Sequence, residues 1–134
     1  MNDKKFFIDS NVFLYLLDKK EEKKHTARAL LANTPVISTQ VINENINVAI
    51  KDFKLAPAKA FEHAENIISM CDLKFISLTT IRIGYDILFK YKYSFYDCLI
   101  IASALENNCI TLYSEDMQHN QLIENNLTIV NPFL

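Results

Sequence analysis

SFYDCLIIASALENNCITLYSED, residues 94–116, is the stretch whose reading decides the fold. From Cys98 to Leu105 the side chains are apolar almost all round a helical wheel, so this helix belongs in the interior rather than on a surface. After the polar Glu106-Asn107-Asn108 the chain turns apolar again from Cys109 to Tyr113, the length of a buried strand. A buried helix that delivers the chain into a buried strand is the repeating step of a parallel sheet covered on both faces.

The same alternation extends upstream and downstream. Lys5 to Ile8 reads as a buried strand, followed by helices over 11–18 and 22–33 and a short strand over 35–38. Within 40–53, Ile42, Ile46, Ala49, Ile50 and Phe53 recur at helical spacing. Pro57 suits the first turn of a helix that reaches about Cys71. Phe75 to Leu78 is expected to be a strand, 80–92 and 96–107 helices, and Leu127 to Val130 a last strand. The fold class predicted is α/β: one domain over 1–134, with a central, mostly parallel sheet of four or five strands and helices on both faces.

Composition excludes several classes. The chain has 134 residues, of which 50% are hydrophobic and 22% charged, enough to bury a core and too apolar for disorder. Its longest apolar run, Val12 to Leu17, is far too short to span a bilayer. The opening Met1-Asn2-Asp3-Lys4-Lys5 fits no signal peptide, so a cytoplasmic location is expected, with Cys71, Cys98 and Cys109 as reduced thiols. One glycine, Gly84, leaves no room for a glycine-rich phosphate loop. A net charge of −2 excludes a positively charged coat but not a local basic strip. The run Lys19-Lys20-Glu21-Glu22-Lys23-Lys24 reads as a solvated face.

Four acidic residues fall where one apolar segment gives way to the next: Asp9, Glu44, Asp97 and Asp116. Each has an ordinary structural explanation. Asp9 or Ser10 can cap the helix that follows. Ser94 and Asp97 resemble a capping box, and the helix dipole favours an acid there. Glu44 lies opposite the apolar stripe of its helix and faces either solvent or a cleft. Asp116 has Glu115 beside it in a polar loop. Topology adds one constraint, since ligands of open parallel sheets bind beyond the carboxyl ends of the strands. Asp9 ends the first strand and Asp116 follows the 109–113 strand by three residues, so both fall on one rim. Four carboxylates gathered there would repel by about 4 kcal/mol per pair at 4 Å and an effective dielectric near 20, unless a cation offsets them.

These segments together resemble the PIN-domain family, and within it the small VapC-type ribonuclease toxins. Ser94 to Leu105 is similar to the family's third acidic motif and Ile8-Asp9-Ser10-Asn11-Val12 to its first. Glu44, five residues after Thr39, stands where the second acidic residue falls. Leu112-Tyr113-Ser114-Glu115-Asp116 resembles the last motif. The resemblance runs from about Lys5 to Pro132. It departs from the family pattern at Cys98 and Gly84, where alanine is common.

The resemblance implies a metal-dependent endoribonuclease, the toxin half of a toxin–antitoxin pair. It implies Asp9, Glu44, Asp97 and Asp116 as metal-holding catalytic residues for Mg²⁺ or Mn²⁺, with Asn11, Thr39 and Ser114 orienting them by hydrogen bonds. The partners implied are an RNA substrate, an antitoxin protein and a second copy of the chain. His119 and the lysines Lys51 and Lys54 are candidate substrate contacts. The alternative is a catalytically silent PIN-like module that binds RNA or protein, a role that does not require four carboxylates. A phosphatase built on Asp9 would want a second aspartate two residues on, where this chain has Asn11.

Overall fold

A computed structural model describes residues 4–134. Six strands form one sheet in the order β3-β2-β1-β4-β6-β5. They are β1 (Phe6–Ile8), β2 (Val36–Ser38), β3 (Asp72–Lys74), β4 (Thr111–Tyr113), β5 (Leu122–Ile123) and β6 (Leu127–Val130). All neighbours pair in parallel except β5, which runs antiparallel to β6. The helices are α1 (Ser10–Leu14, prolonged by one 3-10 turn over Tyr15–Leu17), α2 (Glu21–Leu31), α3 (Thr39–Lys51), α4 (Pro57–Met70), α5 (Leu78–Lys90) and α6 (Phe95–Glu106).

The α/β architecture expected from the sequence is present. Phe7 and Ile8 are both fully buried. Because successive strand side chains point to opposite faces, the centre of the sheet is covered on both sides. Helix α6 buries every residue from Cys98 to Ala104. It ends at Asn107 and Asn108, the latter with φ 59, a left-handed cap that asparagine tolerates. The single glycine serves a different purpose. A Cβ on Gly84 would lie 3.3 Å from Leu99 Cδ2 and 3.4 Å from Phe95 Cε1, so its bare backbone allows α5 and α6 to pack closely.

Two elements differ from the sequence expectation. The third strand is Asp72–Lys74, not 75–78: Asp72 N–H donates to the Pro35 carbonyl at 2.8 Å, and Val36 pairs with Asp72. Ser77 and Thr80 then form a capping box that commits the following residues to α5. Phe75 and Leu78, the apolar residues that suggested a strand, are 78% and 56% exposed. The sheet also carries one strand more than expected. β5 is only two residues long, too short for periodicity to show, and a tight turn with Glu124 and Asn125 at positive φ folds it back onto β6.

The topology places a crevice. From β1 the chain moves outward through β2 to β3, then returns to lay β4 on the other side of β1. The strand order therefore reverses between β1 and β4, where the loops leaving the two carboxyl ends diverge. A buried polar cluster fixes the helices around that crevice. Asn45, fully buried on α3, donates to the Ser10 carbonyl at 3.2 Å and the Val41 carbonyl at 3.0 Å. Its Oδ1 accepts from His63 Nε2 of α4 at 2.9 Å, and burial lowers the pKa of that imidazole. Asn45→Ala would strand these buried partners and is expected to cost about 2–3 kcal/mol in urea unfolding. A loss under about 0.5 kcal/mol would show that the cluster does not fix the helices.

Candidate active site

The four carboxylates singled out in the sequence line one cleft of about 300 Å³, together with Ser10, Asn11, Leu14, Asn47 and Val48. Each arrives on a different element. Asp9 follows β1, held by its N–H donating to the Tyr113 carbonyl of β4 at 2.9 Å. Glu44 comes from the second turn of α3, Asp97 from the first turn of α6, and Asp116 from the turn after β4. The cleft sits at the crevice where the strand order reverses.

Asp9 is 4% exposed and accepts three kinds of donor. Its Oδ1 takes the Ser10 N–H at 2.7 Å, which also caps α1. Its Oδ2 takes the Ser114 hydroxyl at 2.8 Å and the Asn11 amide at 3.5 Å. Asn11 and Ser114 therefore orient Asp9, in the positions the family resemblance gave them. Capping and cleft-lining, which the sequence left as alternatives, turn out to be compatible at Asp9. At α6 they are divided: Ser94 Oγ accepts the Asp97 N–H at 3.2 Å, while the Asp97 carboxylate lines the cleft.

Thr39 is placed differently. Its hydroxyl accepts the Ile76 N–H at 3.4 Å. The hydrogen bonds that hold Glu44 come instead from the Ser10 hydroxyl and from Gln40 Nε2 at 3.4 Å. Neither contact with Glu44 was expected from the sequence, where Ser10 figured only as a candidate helix cap. Gln40 and Glu44 stand four apart on one helix, a spacing that carries such pairs and is the signal that was available. Glu115 turns away from the cleft: it accepts from Tyr15 Oη at 2.7 Å and from Lys23 Nζ at 2.9 Å. Burial would raise its pKa, but those two donors outweigh it and lower it. His119 Nδ1 accepts the Asn131 N–H at 2.9 Å, which ties it to the residue that follows β6. Lys51 and Lys54 are exposed and do not line the cleft.

The electrostatics are one-sided. Burial pushes the Asp9 carboxyl up to about 7; the hydrogen bonds from Ser114 and Ser10 oppose this, and the charges of Asp97 and Glu44 add to it. Burial also raises Asp97, with the charge of Asp116 adding, Ser94 opposing and Glu44 adding again. Among the described residues no lysine, arginine or histidine lines the cleft. An all-oxygen, all-acidic donor set fits a hard divalent cation such as Mg²⁺ or Mn²⁺. Among the described residues no three His, Cys, Asp or Glu side chains converge as a ready-made metal cluster; the four acids line the cleft separately.

A raised Asp9 pKa makes stability depend on pH in a definite direction. Between about 4 and about 7 the folded protein keeps a proton that the unfolded chain has released, so stability falls as pH rises through that window. The upper bound of the effect is about 4 kcal/mol. In chelator, thermal melts should be lower at pH 8 than at pH 5, and Asp9→Asn should raise the pH 8 value. An unchanged or lowered pH 8 melt for Asp9→Asn would contradict the electrostatic account.

Comparison with known proteins extends the geometry. A family model described as PIN domain matches residues 6–124. No curated protein matches the chain at a significant level. Among solved structures, DNA-bound VapBC from Salmonella typhimurium is similar at a TM-score of 0.73 and 20% identity, with 95% of this chain and 97% of that one covered. A toxin–antitoxin complex from Klebsiella pneumoniae is similar at 0.72 and 19% identity, covering 96% and 97%. The sarcin–ricin-loop-cleaving toxin VapC20 of Mycobacterium tuberculosis is similar at 0.68 and 17% identity, covering 83% and 89%. At these identities the structures share the fold. The family match, which takes in Asp9, Glu44, Asp97 and Asp116, goes further: the chain belongs to the PIN-domain family.

Proposed function

We propose that this protein is a divalent-metal-dependent endoribonuclease of VapC type, acting as the toxin of a toxin–antitoxin pair and built as a single PIN-like domain. One observation carries the reading: four carboxylates delivered by four separate elements line one cleft with no basic side chain among them. A catalytically silent module would bear the repulsion of that arrangement with nothing gained. The solved relatives that resemble the fold include toxin–antitoxin complexes and an RNA-cleaving toxin, which supports the antitoxin partner and the RNA substrate. A cytoplasmic site of action agrees with this reading. Among the described residues no helix is long and apolar enough to cross a membrane.

Asp9, Asp97 and Asp116 are the residues that would hold Mg²⁺ or Mn²⁺, with Glu44 acting directly or through water. When bound, such an ion lowers the pKa of a water and offsets charge that builds on a phosphate. The chain itself supplies position. Asn11 and Ser114 fix the Asp9 carboxylate, and Ser10 and Gln40 fix that of Glu44. The product of this chemistry is a hydrolysed RNA phosphodiester, and no nucleophilic side chain is needed.

The assignment separates two neighbouring acids. Asp97→Asn and Asp116→Asn are each expected to fold and to lose Mg²⁺- or Mn²⁺-dependent RNA cleavage by at least ~100-fold, the scale on which altered metal sites lose activity. Glu115→Gln, which breaks only the contact with Lys23 and Tyr15, should cleave within a few-fold of the parent. Full activity of Asp97→Asn would defeat the catalytic assignment.

A homodimer is also proposed. The exposed apolar residues available for it lie mainly on α4 and α5: Phe61 is 52% exposed, Tyr85 51%, Leu88 46% and Phe89 91%. Apolar side chains of this size left in water are candidates for burial against a second copy. Light scattering should give twice the 15.5 kDa chain mass, and Phe89→Lys should shift it toward monomer. A monomer at every concentration for the parent protein would rule the dimer out.

A further inference from the structure

The polar face of α3 continues beyond the acidic cleft. Gln40, Asn43, Glu44 and Asn47 stand at i, i+3, i+4 and i+7, which is one stripe of a helix, while Val41, Ile42, Asn45 and Ala49 are buried. The stripe forms one wall of a groove of about 450 Å³, faced by Ile76, Tyr96 and Leu99. Groove and cleft share Glu44 and Asn47, so the two are continuous.

The chemistry of this groove differs from that of the cleft. Apart from Glu44 at the junction it carries no charged residue, so recognition of phosphate is not its task. Its walls offer side-chain amides, which both donate and accept, and one large aromatic ring: Tyr96 is 66% exposed. Gln40 Nε2 donates to the Tyr96 carbonyl at 3.1 Å, which ties α3 to α6 across the groove. Gln40 Oε1 is enclosed at the same wall with no hydrogen-bond donor. Amides beside an exposed ring suit a neutral planar ligand with donors and acceptors along its edge, which describes an unpaired nucleobase.

We propose that this groove seats the unpaired RNA base adjoining the phosphate in the acidic cleft, stacked on Tyr96 and read along its edge by Asn43 and Asn47. The proposal rests on the ribonuclease reading for what occupies the cleft, and it makes the groove the origin of sequence preference. Asn43 and Tyr96 are exposed, so replacing them leaves the core intact.

The test measures binding, independently of cleavage. Fluorescent RNA hexamers that differ at one position are titrated in Mn²⁺ against full-length Asp97→Asn protein, with anisotropy as the readout. Adding Tyr96→Ala should weaken binding about tenfold, while Tyr96→Phe retains it. Adding Asn43→Ala should flatten the preference among the four bases. If Tyr96→Ala and Asn43→Ala bind every hexamer as the parent does, the groove is not a base subsite and the proposal falls. If this parent binds no hexamer while the wild-type protein cuts RNA, the base subsite falls and the ribonuclease reading stands. If the parent discriminates bases yet the wild-type protein cuts no RNA, the cleavage reading fails and the subsite stands.

Discussion

The buried carboxylate of Asp9 is the constraint on which the rest of the site depends. A carboxylate at 4% exposure, near two other acids that raise its pKa further, is unstable in isolation. It persists because β1 is clamped between β2 and β4, and because Ser10, Asn11 and Ser114 turn donors toward it. The arrangement is local: the fold gathers acidic side chains in one cleft, where a bound cation would relieve their repulsion.

The other three acids must reach the same place from distant parts of the chain, which calls for rigid carriers. Asp97 rides on α6, the most deeply buried helix, capped by Ser94 so that the carboxylate is left for the cleft. Glu44 rides on α3, which Asn45 ties to α1 and α4 through the Ser10 carbonyl and His63. Ser10 thus serves twice, its carbonyl fixing the helix and its hydroxyl fixing Glu44. Sites built on packed elements hold their geometry better than sites on loops.

Much of this was legible in the sequence, for reasons that differ residue by residue. The α/β class and the shared rim of Asp9 and Asp116 follow from buried strands at 5–8 and 109–113, because both apolar runs are strand-length and each is bounded by polar residues. The edges were not legible. β3 has three half-buried residues, and β5 has only two residues, Leu122 exposed and Ile123 buried, so pairing rather than hydrophobicity defines them. At the site, periodicity showed only that Glu44 lies opposite the apolar stripe of α3, since a helical wheel cannot tell a cleft from solvent. The Ser10 contact with Glu44 was missed because only the approach of α1 to α3 brings the two together. Gln40 reaches Glu44 along its own helix, a pairing that the four-residue spacing alone leaves open.

The choice between Glu115 and Asp116 shows how far local geometry decides. The two acids are adjacent and chemically alike, and their hydrogen-bond environments send them to opposite sides. Glu115 N–H donates to Asn11 Oδ1 at 3.2 Å and Asp116 N–H to Ser114 Oγ at 3.3 Å. The same Asn11 and Ser114 also donate to Asp9. This pair therefore locks the turn after β4 to the end of β1, so Asp9 and Asp116 are positioned jointly rather than independently. Lys23 and Tyr15, gathered by the start of the chain, draw the Glu115 side chain away and leave Asp116 as the acid that faces the cleft. Two hydrogen-bonding side chains thus set the spacing of two of the four carboxylates, and a disturbance at either one reaches both.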